Sequence, residues 1–280
     1  MLIIQKNKKM FTIRKSFTIN PNRTKEEIRS YKILLENKTY VGVEIFYPYN
    51  RDEEGKKELT NALKEYLEIP GVEFVCHLPH GKFNNLATDV NIEEVMDRFK
   101  KAIDYAFEFG VKKLTLHPGE CDGTLSRSDA INKASKHIKE LCQYANKYDM
   151  TIMLENLIGE NELMRIPSEY FELKEKIAEK NLKFIFDLAH FHASKFDNGD
   201  SSNIKWFVNE IKNDLLHVHM SDNDGLKDLH ARIGTGNIDY KTYINCLKKI
   251  DYKGLYSSEV LFNTVDDLIQ TAIDLDNLLK

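Results

Sequence analysis

Short apolar runs alternate with amphipathic segments along almost the whole chain, and this alternation is the feature that most restricts its fold. Several of the runs are continuously apolar, such as Phe184-Ile185-Phe186, which suits strands that are covered on both faces of a parallel sheet. We count eight candidate strands, at residues 11–19, 40–46, 72–77, 113–117, 151–155, 182–187, 215–220 and 255–260.

The segments between these runs carry helix signals. Asn91 precedes an apolar pattern at helical spacing, and Gly110 stands where the C-terminal cap of that helix belongs. Thr24 and Thr264 are each followed three residues later by a carboxylate, which is typical of a helix start. We expect eight helices, at about residues 24–37, 55–68, 92–107, 127–148, 168–180, 202–213, 239–250 and 264–279.

Eight strands that alternate with eight helices fit either a closed barrel or a doubly wound open sheet. A nucleotide-binding open sheet usually has a glycine fingerprint after its first strand, but Asn20-Pro21-Asn22-Arg23 contains no glycine. No linker or change of composition divides the 280 residues. The sequence therefore predicts a single α/β domain over residues 1–280, a (β/α)8 TIM barrel, with residues 1–10 as a disordered N-terminal extension.

Composition excludes several classes of protein. A hydrophobic content of 42% rules out intrinsic disorder, and a net charge of −4 excludes a polybasic nucleic-acid wrapper, although not a local basic groove. The cysteines lie far apart, so we expect reduced thiols rather than a disulfide framework or a zinc finger. The chain shows neither a signal-peptide pattern nor an apolar run of membrane-spanning length. We expect a cytoplasmic protein that makes no membrane contact.

Metal-competent side chains lie at or near the end of six of the eight predicted strands. In a barrel the carboxyl ends of the strands meet at one mouth, where the active sites of such barrels lie. The six residues are His77, His117, Glu155, Asp187, His219 and Glu259. Imidazole and carboxylate without thiolate suit Zn²⁺, Mn²⁺, Co²⁺ or Fe²⁺. Each residue has a structural explanation on its own, such as a helix N-cap for Asp187, and spacing alone does not separate His219 from His217. Six coincidences at corresponding positions favour a metal site.

Several short motifs together resemble a known superfamily. They are Val43-Glu44, His77-Leu78-Pro79, His117-Pro118-Gly119, Leu154-Glu155-Asn156, Asp187-x-x-His190, His219-Met220-Ser221-Asp222, Asp228-x-His230 with Gly234-x-Gly236, and Glu259. In this order, over about residues 40–260, they make the chain similar to the xylose isomerase-like TIM-barrel superfamily. That superfamily includes sugar-phosphate isomerases and epimerases and the endonuclease IV family.

The resemblance implies a metal centre held by Glu155, Asp187, His219 and Glu259. In endonuclease IV relatives the centre is trinuclear, and the positions that match its added ligands are His77, His117, His190, Asp228 and His230. We therefore expect one to three divalent ions per chain, with zinc or manganese as the metal. For the ligand on the third strand we prefer His77, because His-Leu-Pro resembles the family's His-x-Pro. His80 stays open as a competitor, or as a substrate-binding residue.

Three functions fit these residues. The preferred one is a metal-dependent isomerase or epimerase of a small sugar or sugar phosphate, in which the resemblance makes Glu155 and Glu259 the general base and acid and Glu44 a substrate-binding residue. The alternative is an endonuclease IV-like, zinc-dependent phosphodiesterase that cleaves DNA at abasic sites, and DNA is a partner only under this alternative. The complete ligand set supports it. The net charge and the sequence Glu259-Val260-Leu261, where that family has Glu-Thr-Pro, oppose it.

The third function is a metal-stabilised barrel with a non-catalytic binding role, and the intact pair of acid and base argues against it. Outside the proposed site, His137 lies mid-helix near Lys133 and Lys136, and we expect it to face solvent. The sequence leaves the oligomeric state open.

Overall fold

The structure, a computed structural model, describes residues 13–121, 123–194 and 201–278. Its strands are parallel and close into a barrel in chain order, and β8 pairs with β1. They are β1 (Arg14–Ile19), β2 (Gly42–Phe46), β3 (Glu73–His77), β4 (Lys113–Leu116), β5 (Thr151–Glu155), β6 (Leu182–Asp187), β7 (Leu215–Met220) and β8 (Leu255–Ser258). This architecture confirms the predicted (β/α)8 TIM barrel.

Helices cover the outside of the barrel. They are α1 (Lys25–Glu36), α2 (Glu53–Lys64), α3 (Ile92–Glu108), α4 (Arg127–Asn146), α5 (Pro167–Ile177), α6 (Leu188–Ala193), α7 (Ser201–Ile211), α8 (Tyr240–Lys249) and α9 (Val265–Leu278). The short helix α6 was not predicted. Two predicted strands end earlier than expected, so that His117 and Glu259 lie just beyond β4 and β8. The predicted N-terminal extension and the start of the first predicted strand lie outside the described residues.

The barrel interior is layered, because side chains two residues apart on a strand point to the same side. A small apolar cluster of Val75, Met153, Ile185 and Leu255 is fully buried inside the barrel. Two residues further along three of these strands come His77, Glu155 and Asp187. These three candidate ligands therefore rest on the apolar side chains of their own strands, and a separate larger core packs the helices against the outside of the strands.

Local signals explain where several helices begin. Thr24 Oγ1 accepts a hydrogen bond from Glu27 N at 3.2 Å, and Glu27 Oε2 accepts one from Thr24 N at 2.8 Å, which completes a capping box. Thr264 and Asp267 repeat the arrangement before α9. Asn91 does precede α3, but it occupies a left-handed conformation with φ 53° and makes no side-chain cap bond within the described chain.

The expectation that His137 faces solvent is wrong. The residue is 3% exposed, and its Nδ1 donates to Leu86 O at 2.9 Å. Its Nε2 lies 3.4 Å from Asp89, so that the ring fastens the loop between β3 and α3 to helix α4. The neighbouring lysines misled the prediction, because a long-range partner for a polar ring leaves no signal in local spacing.

The four cysteines are free thiols, and Cys76, Cys142 and Cys246 are buried. Burial raises the pKa of the Cys246 thiol, although Lys249 partly offsets it. Among the helices of the described ranges, we find none with the length and apolar character needed to cross a membrane.

The capping box at α1 gives a stability prediction. Thr24→Ala removes the acceptor for Glu27 N, and we expect the free energy of unfolding to fall by about 0.5–2 kcal/mol. Thr24→Ser is the matched control, because it keeps the hydroxyl acceptor. Urea denaturation of both variants checks the prediction, and equal midpoints for the two would contradict it.

Candidate metal centre

Four groups of ligand atoms lie at or near the carboxyl ends of the strands in the described part of the chain, and within each group the atoms lie within 4.8 Å of one another. One of them consists of Glu44, His217 and His219, and the other three contain the predicted ligands. We name these three by position. The inner group is Glu155, Asp187, His219 and Glu259; the first outer group is His77, His117 and Glu155; the second outer group is His190, Asp228 and His230. Glu155 thus belongs to two groups. The nine residues that the sequence singled out as ligands are all placed in one of the three.

The inner group surrounds one imidazole with three carboxylates. His219 Nδ1 lies 3.0 Å from Glu155 Oε1, 2.8 Å from Glu259 Oε2 and 3.9 Å from Asp187 Oδ2. The Glu259 contact is within ion-pair distance but lacks hydrogen-bond geometry, so Glu259 Oε2 and Asp187 Oδ2 are buried without a hydrogen-bond partner in the described part of the chain. Buried carboxylate oxygens are costly unless they are paired or coordinated. The inner group therefore fits a divalent cation.

Asp187 is both a helix cap and a member of the inner group. Its Oδ1 accepts from His190 N at 2.6 Å, which starts α6, and this leaves Oδ2 for the inner group. Asn156 holds the Asp187 backbone from both sides, since its Nδ2 donates to Asp187 O and its Oδ1 accepts from Asp187 N, each at 2.9 Å. Both interpretations of Asp187 from the sequence are compatible with this geometry.

Three of the four outer histidines share one hydrogen-bonding pattern. In each of these three, the Nδ1 atom contacts a backbone carbonyl oxygen, and because a carbonyl only accepts, the proton lies on Nδ1. The pairs are His77 with Leu78 O at 2.8 Å, His190 with Asn156 O at 2.9 Å, and His230 with Glu259 O at 2.8 Å. Metal-binding histidines typically donate their other ring nitrogen in this way. The pattern leaves Nε2 of each ring as the coordinating atom.

In each outer group, two Nε2 atoms converge on one carboxylate oxygen. In the first, His117 and His77 lie 3.1 and 3.5 Å from Glu155 Oε2. In the second, His230 and His190 lie 3.0 and 3.3 Å from Asp228 Oδ2. This donor set, made of imidazole nitrogen and carboxylate oxygen, suits Zn²⁺ or Mn²⁺.

The density of charge shifts several pKa values. Burial, together with the charges of Glu155 and Glu259, raises the pKa of Asp187 to about 7, although His190 opposes the shift. Burial opposes protonation of His230, but its bond to Asp228 outweighs burial and raises the pKa to about 9. The protons on Asp187 and His230 compensate part of the negative charge of the site. A bound metal cation would compensate the same charge, so metal binding here would release protons.

His80 and Glu44 are placed differently from the ligands. The His80 ring centre lies 4.9 Å from that of His77 and 5.0 Å from that of His117. Burial and the neighbouring His77 and His117 lower the pKa of His80 to about 3, so it is a neutral imidazole beside the first outer group. Glu44 is completely buried beneath His219. The contacts of Glu44 are with Thr115, His217 and His219, and its substrate-binding role stays a prediction.

Asp222, for which the sequence indicates no individual role, shapes the loop after β7. Asp222 Oδ2 accepts from Gly234 N at 2.8 Å, and Asp222 pairs with Ala231 as an isolated bridge. A Cβ at Gly236 would come within 2.3 Å of Asp222 Oδ1, so glycine is required there. His230 itself has a φ of 44°. The Gly-x-Gly spacing signalled a tight loop, but the carboxylate that holds it was not predictable from spacing.

A cavity of about 620 Å³ opens at the mouth beside the centre. Its lining includes His77, His80, His230 and Glu259 from the site, and also Asn20, Asn22, Arg23, Phe46, Tyr47, Tyr49 and Phe262. Arg23 is already engaged, since it lies 2.8 Å from Glu27, contacts the Phe262 carbonyl and stacks on the Phe262 ring. A separate cavity of about 500 Å³, beside Phe83 and Arg98, contains none of the candidate ligands.

Comparison with known proteins agrees with this architecture. The chain is 29% identical over 195 residues to the uncharacterized protein MJ1311 of Methanocaldococcus jannaschii, a match that covers 67% of this chain and 64% of that protein. It is 26% identical over 176 residues to a probable endonuclease 4 of Thermotoga neapolitana, which covers 58% of this chain and 60% of the relative. The chain thus spans less than two thirds of the length of either relative.

Among solved structures, a D-tagatose 3-epimerase-like protein superposes with a TM-score of 0.76 at 23% identity, covering 95% of this chain and 97% of that one. At this identity the likeness establishes the fold. The family described as xylose isomerase-like TIM barrel matches residues 38–275, which is most of the chain. The resemblance seen in the sequence motifs is confirmed, and the chain belongs to the xylose isomerase-like TIM barrel family.

Proposed function

We propose that this chain is a divalent-metal-dependent isomerase or epimerase that transfers a proton next to the carbonyl of a small sugar or sugar phosphate. One observation carries the proposal. Glu259 belongs to the inner group and also lines the mouth cavity, and its side chain is 14% exposed where the other three side chains of the group are 1% exposed or less. A carboxylate in this position can contact both a metal ion and a substrate.

The residues of the inner group are the ones that would hold the ion, for which we expect zinc or manganese. A divalent ion bound there would polarise a substrate carbonyl as a Lewis acid. His219 and Asp187 are completely buried and would act as ligands alone. The two glutamates, Glu155 and Glu259, would transfer the protons.

Glu259 is the group that we assign to proton transfer at the cavity. Burial opposes its ionisation, but the adjacent His219 lowers the pKa of Glu259 below its usual value, so that the carboxylate is available as a base. It would take the proton from the carbon beside the carbonyl onto a carboxylate oxygen. In an isomerisation Glu259 would return the proton to the neighbouring carbon. In an epimerisation a protonated Glu155 would donate a proton to the same carbon from the opposite face, and the step would end with Glu155 ionised and Glu259 protonated.

The cavity supports a small polyhydroxylated substrate. Its volume of about 620 Å³ falls in the range of about 300–1,000 Å³ that is usual for small-molecule sites. Asparagine amides and tyrosine rings on its walls offer hydrogen bonds and flat apolar faces. The engagement of Arg23 with Glu27 and Phe262 argues against a wall built to grip a nucleic-acid backbone.

The second candidate is an endonuclease IV-like phosphodiesterase acting at abasic sites in DNA, and the two outer groups favour it. Paired metal ions stabilise the attacking and leaving oxygens in many phosphoryl-transfer enzymes. Glu155 belongs to both the inner group and the first outer group, so these two groups together would hold such a pair of ions. The net charge of −4 weighs against binding to DNA.

Metal titration tests the three groups. We expect metal-free protein to bind more than one Zn²⁺ or Mn²⁺ per chain in calorimetry, because each outer group has its own pair of imidazoles. His230→Ala should remove one ion by disrupting the second outer group. His137→Ala is the matched control, since it removes a buried histidine outside the groups and should leave the stoichiometry unchanged. A wild-type stoichiometry of one would make the outer histidines substrate contacts and remove the support for the second candidate.

Exchange of substrate hydrogen tests the reaction. Metal-loaded protein is incubated in heavy water with ketoses, ketose phosphates and abasic-site DNA, and deuterium should enter the carbon beside the carbonyl of one sugar. Glu259→Gln should slow this exchange by about 10²–10⁴-fold, the usual cost of losing a general acid or base, while most of the metal remains bound. Glu169→Gln is the control, because it changes a buried carboxylate of α5 that pairs with Arg127 of α4. This variant should exchange substrate hydrogen at the wild-type rate. Metal-dependent nicking of abasic DNA without deuterium in any sugar would establish the second candidate instead.

A further inference from the structure

A buried carboxylate lies directly beneath the metal centre, outside the three ligand groups just described. Glu44, on β2, is 0% exposed, and its two oxygens receive three hydrogen bonds. Thr115 Oγ1 donates to Oε1 at 2.7 Å, while His219 Nε2 and His217 Nε2 lie 2.7 and 3.0 Å from Oε2. The carboxylate is therefore held by strands β4 and β7 as well as by its own strand.

The partner of His219 differs in charge from the partners of the outer histidines. Three of those rings donate Nδ1–H to neutral backbone carbonyls. His219 uses the opposite nitrogen, and its Nε2 faces an ionisable side chain. A hydrogen bond to an ionised acceptor is roughly twice as strong as one between neutral groups.

We propose that Glu44 is a positioning residue for the metal centre. By accepting the Nε2 proton of His219 it fixes the ring with Nδ1 toward the inner group, and it increases the basicity of Nδ1 as a ligand. Thr115 and His217 hold the Glu44 carboxylate in turn, so that it cannot rotate away from His219. Glu44 itself touches neither the mouth cavity nor a substrate within it.

The inference extends the proposed function, since it rests on the inner group binding a metal, but it does not depend on which reaction follows. The experiment therefore measures metal affinity in the absence of substrate. Purified metal-free protein is titrated with Zn²⁺ against a chromophoric chelator, and the thermal midpoint of each metal-free variant is recorded.

Glu44→Gln keeps the size of the side chain but removes its charge, and its single carbonyl oxygen can accept from one of the two imidazoles. We expect the affinity of the tightest inner-group ion to fall by about 10–100-fold, as is usual when the hydrogen-bond partner of a ligating histidine is changed. Glu169→Gln, the buried carboxylate of α5, is the matched control. It should lower the thermal midpoint without changing zinc affinity, and unchanged zinc affinity in Glu44→Gln would overturn the proposal.

His217→Gln separates positioning from direct coordination. The glutamine amide can still donate to Glu44, and the bond from His219 stays, so the stoichiometry should not change and most of the affinity should remain. Since Glu44, His217 and His219 also lie within 4.8 Å of one another, they could instead hold an ion of their own. Loss of one ion per chain in His217→Gln would show that, and it would contradict the positioning role.

Wild-type protein supplies a test that needs no variant, should Glu44→Gln not fold. In ¹⁵N-resolved spectra of the zinc-loaded protein, His219 should show a protonated Nε2 whose hydrogen exchanges slowly with water and lies far downfield, as for a bond to a carboxylate. A His219 ring that coordinates through Nε2, or protein that binds no zinc, would overturn the inference. The second result would remove the proposed metal chemistry as well, whereas a failed deuterium exchange with normal zinc binding would affect the proposed reaction alone.

Discussion

Negative charge concentrated around one buried imidazole is the constraint on which the rest of the structure depends. Glu44, Glu155 and Asp187 are each 0% exposed, and all three approach His219, as does Glu259. Burial alone would keep such carboxylates protonated or unfold the site. This negative charge is compensated by histidines from four strands or the loops that follow them, and by the backbone N–H groups at the start of α6. On our proposal a divalent ion compensates the rest.

The barrel accommodates this charge because a buried apolar cluster lies one layer below three of the candidate ligands. Since alternate residues of a strand face the interior, Val75, Met153 and Ile185 are followed by His77, Glu155 and Asp187 one step nearer the mouth. The ligands thus stand on side chains that exclude water from below. Backbone carbonyls at the strand ends, already at the mouth, orient the rings of His77 and His190.

The sequence was sufficient for the architecture, because the architecture follows from periodicity along the chain. The same periodicity singled out the six side chains at the strand ends, whereas the resemblance to the family added His190, Asp228 and His230. The structure brings all nine together, and their role as metal ligands stays a prediction. A His or Asp at the end of an apolar run can be recognised in the sequence, and the alternation of strand and helix is compatible with few folds. Contacts between distant strands were not accessible in this way. Val43-Glu44 suggested a residue at the mouth, but Glu44 lies two residues before the end of β2 and below His219. His137 was misplaced for the same reason, since its partner Leu86 is 51 residues away.

Whether the site moves protons or cleaves phosphodiesters, the proposed chemistry requires an ion bound by the inner group. Anomalous diffraction from crystals of the zinc- or manganese-loaded protein tests this most directly. We predict a peak at bonding distance, about 2.0–2.2 Å for zinc, from Glu155, Asp187, His219 Nδ1 and Glu259 together. An inner group without an anomalous peak, or a peak confined to the space between Glu44 and His217, would contradict it.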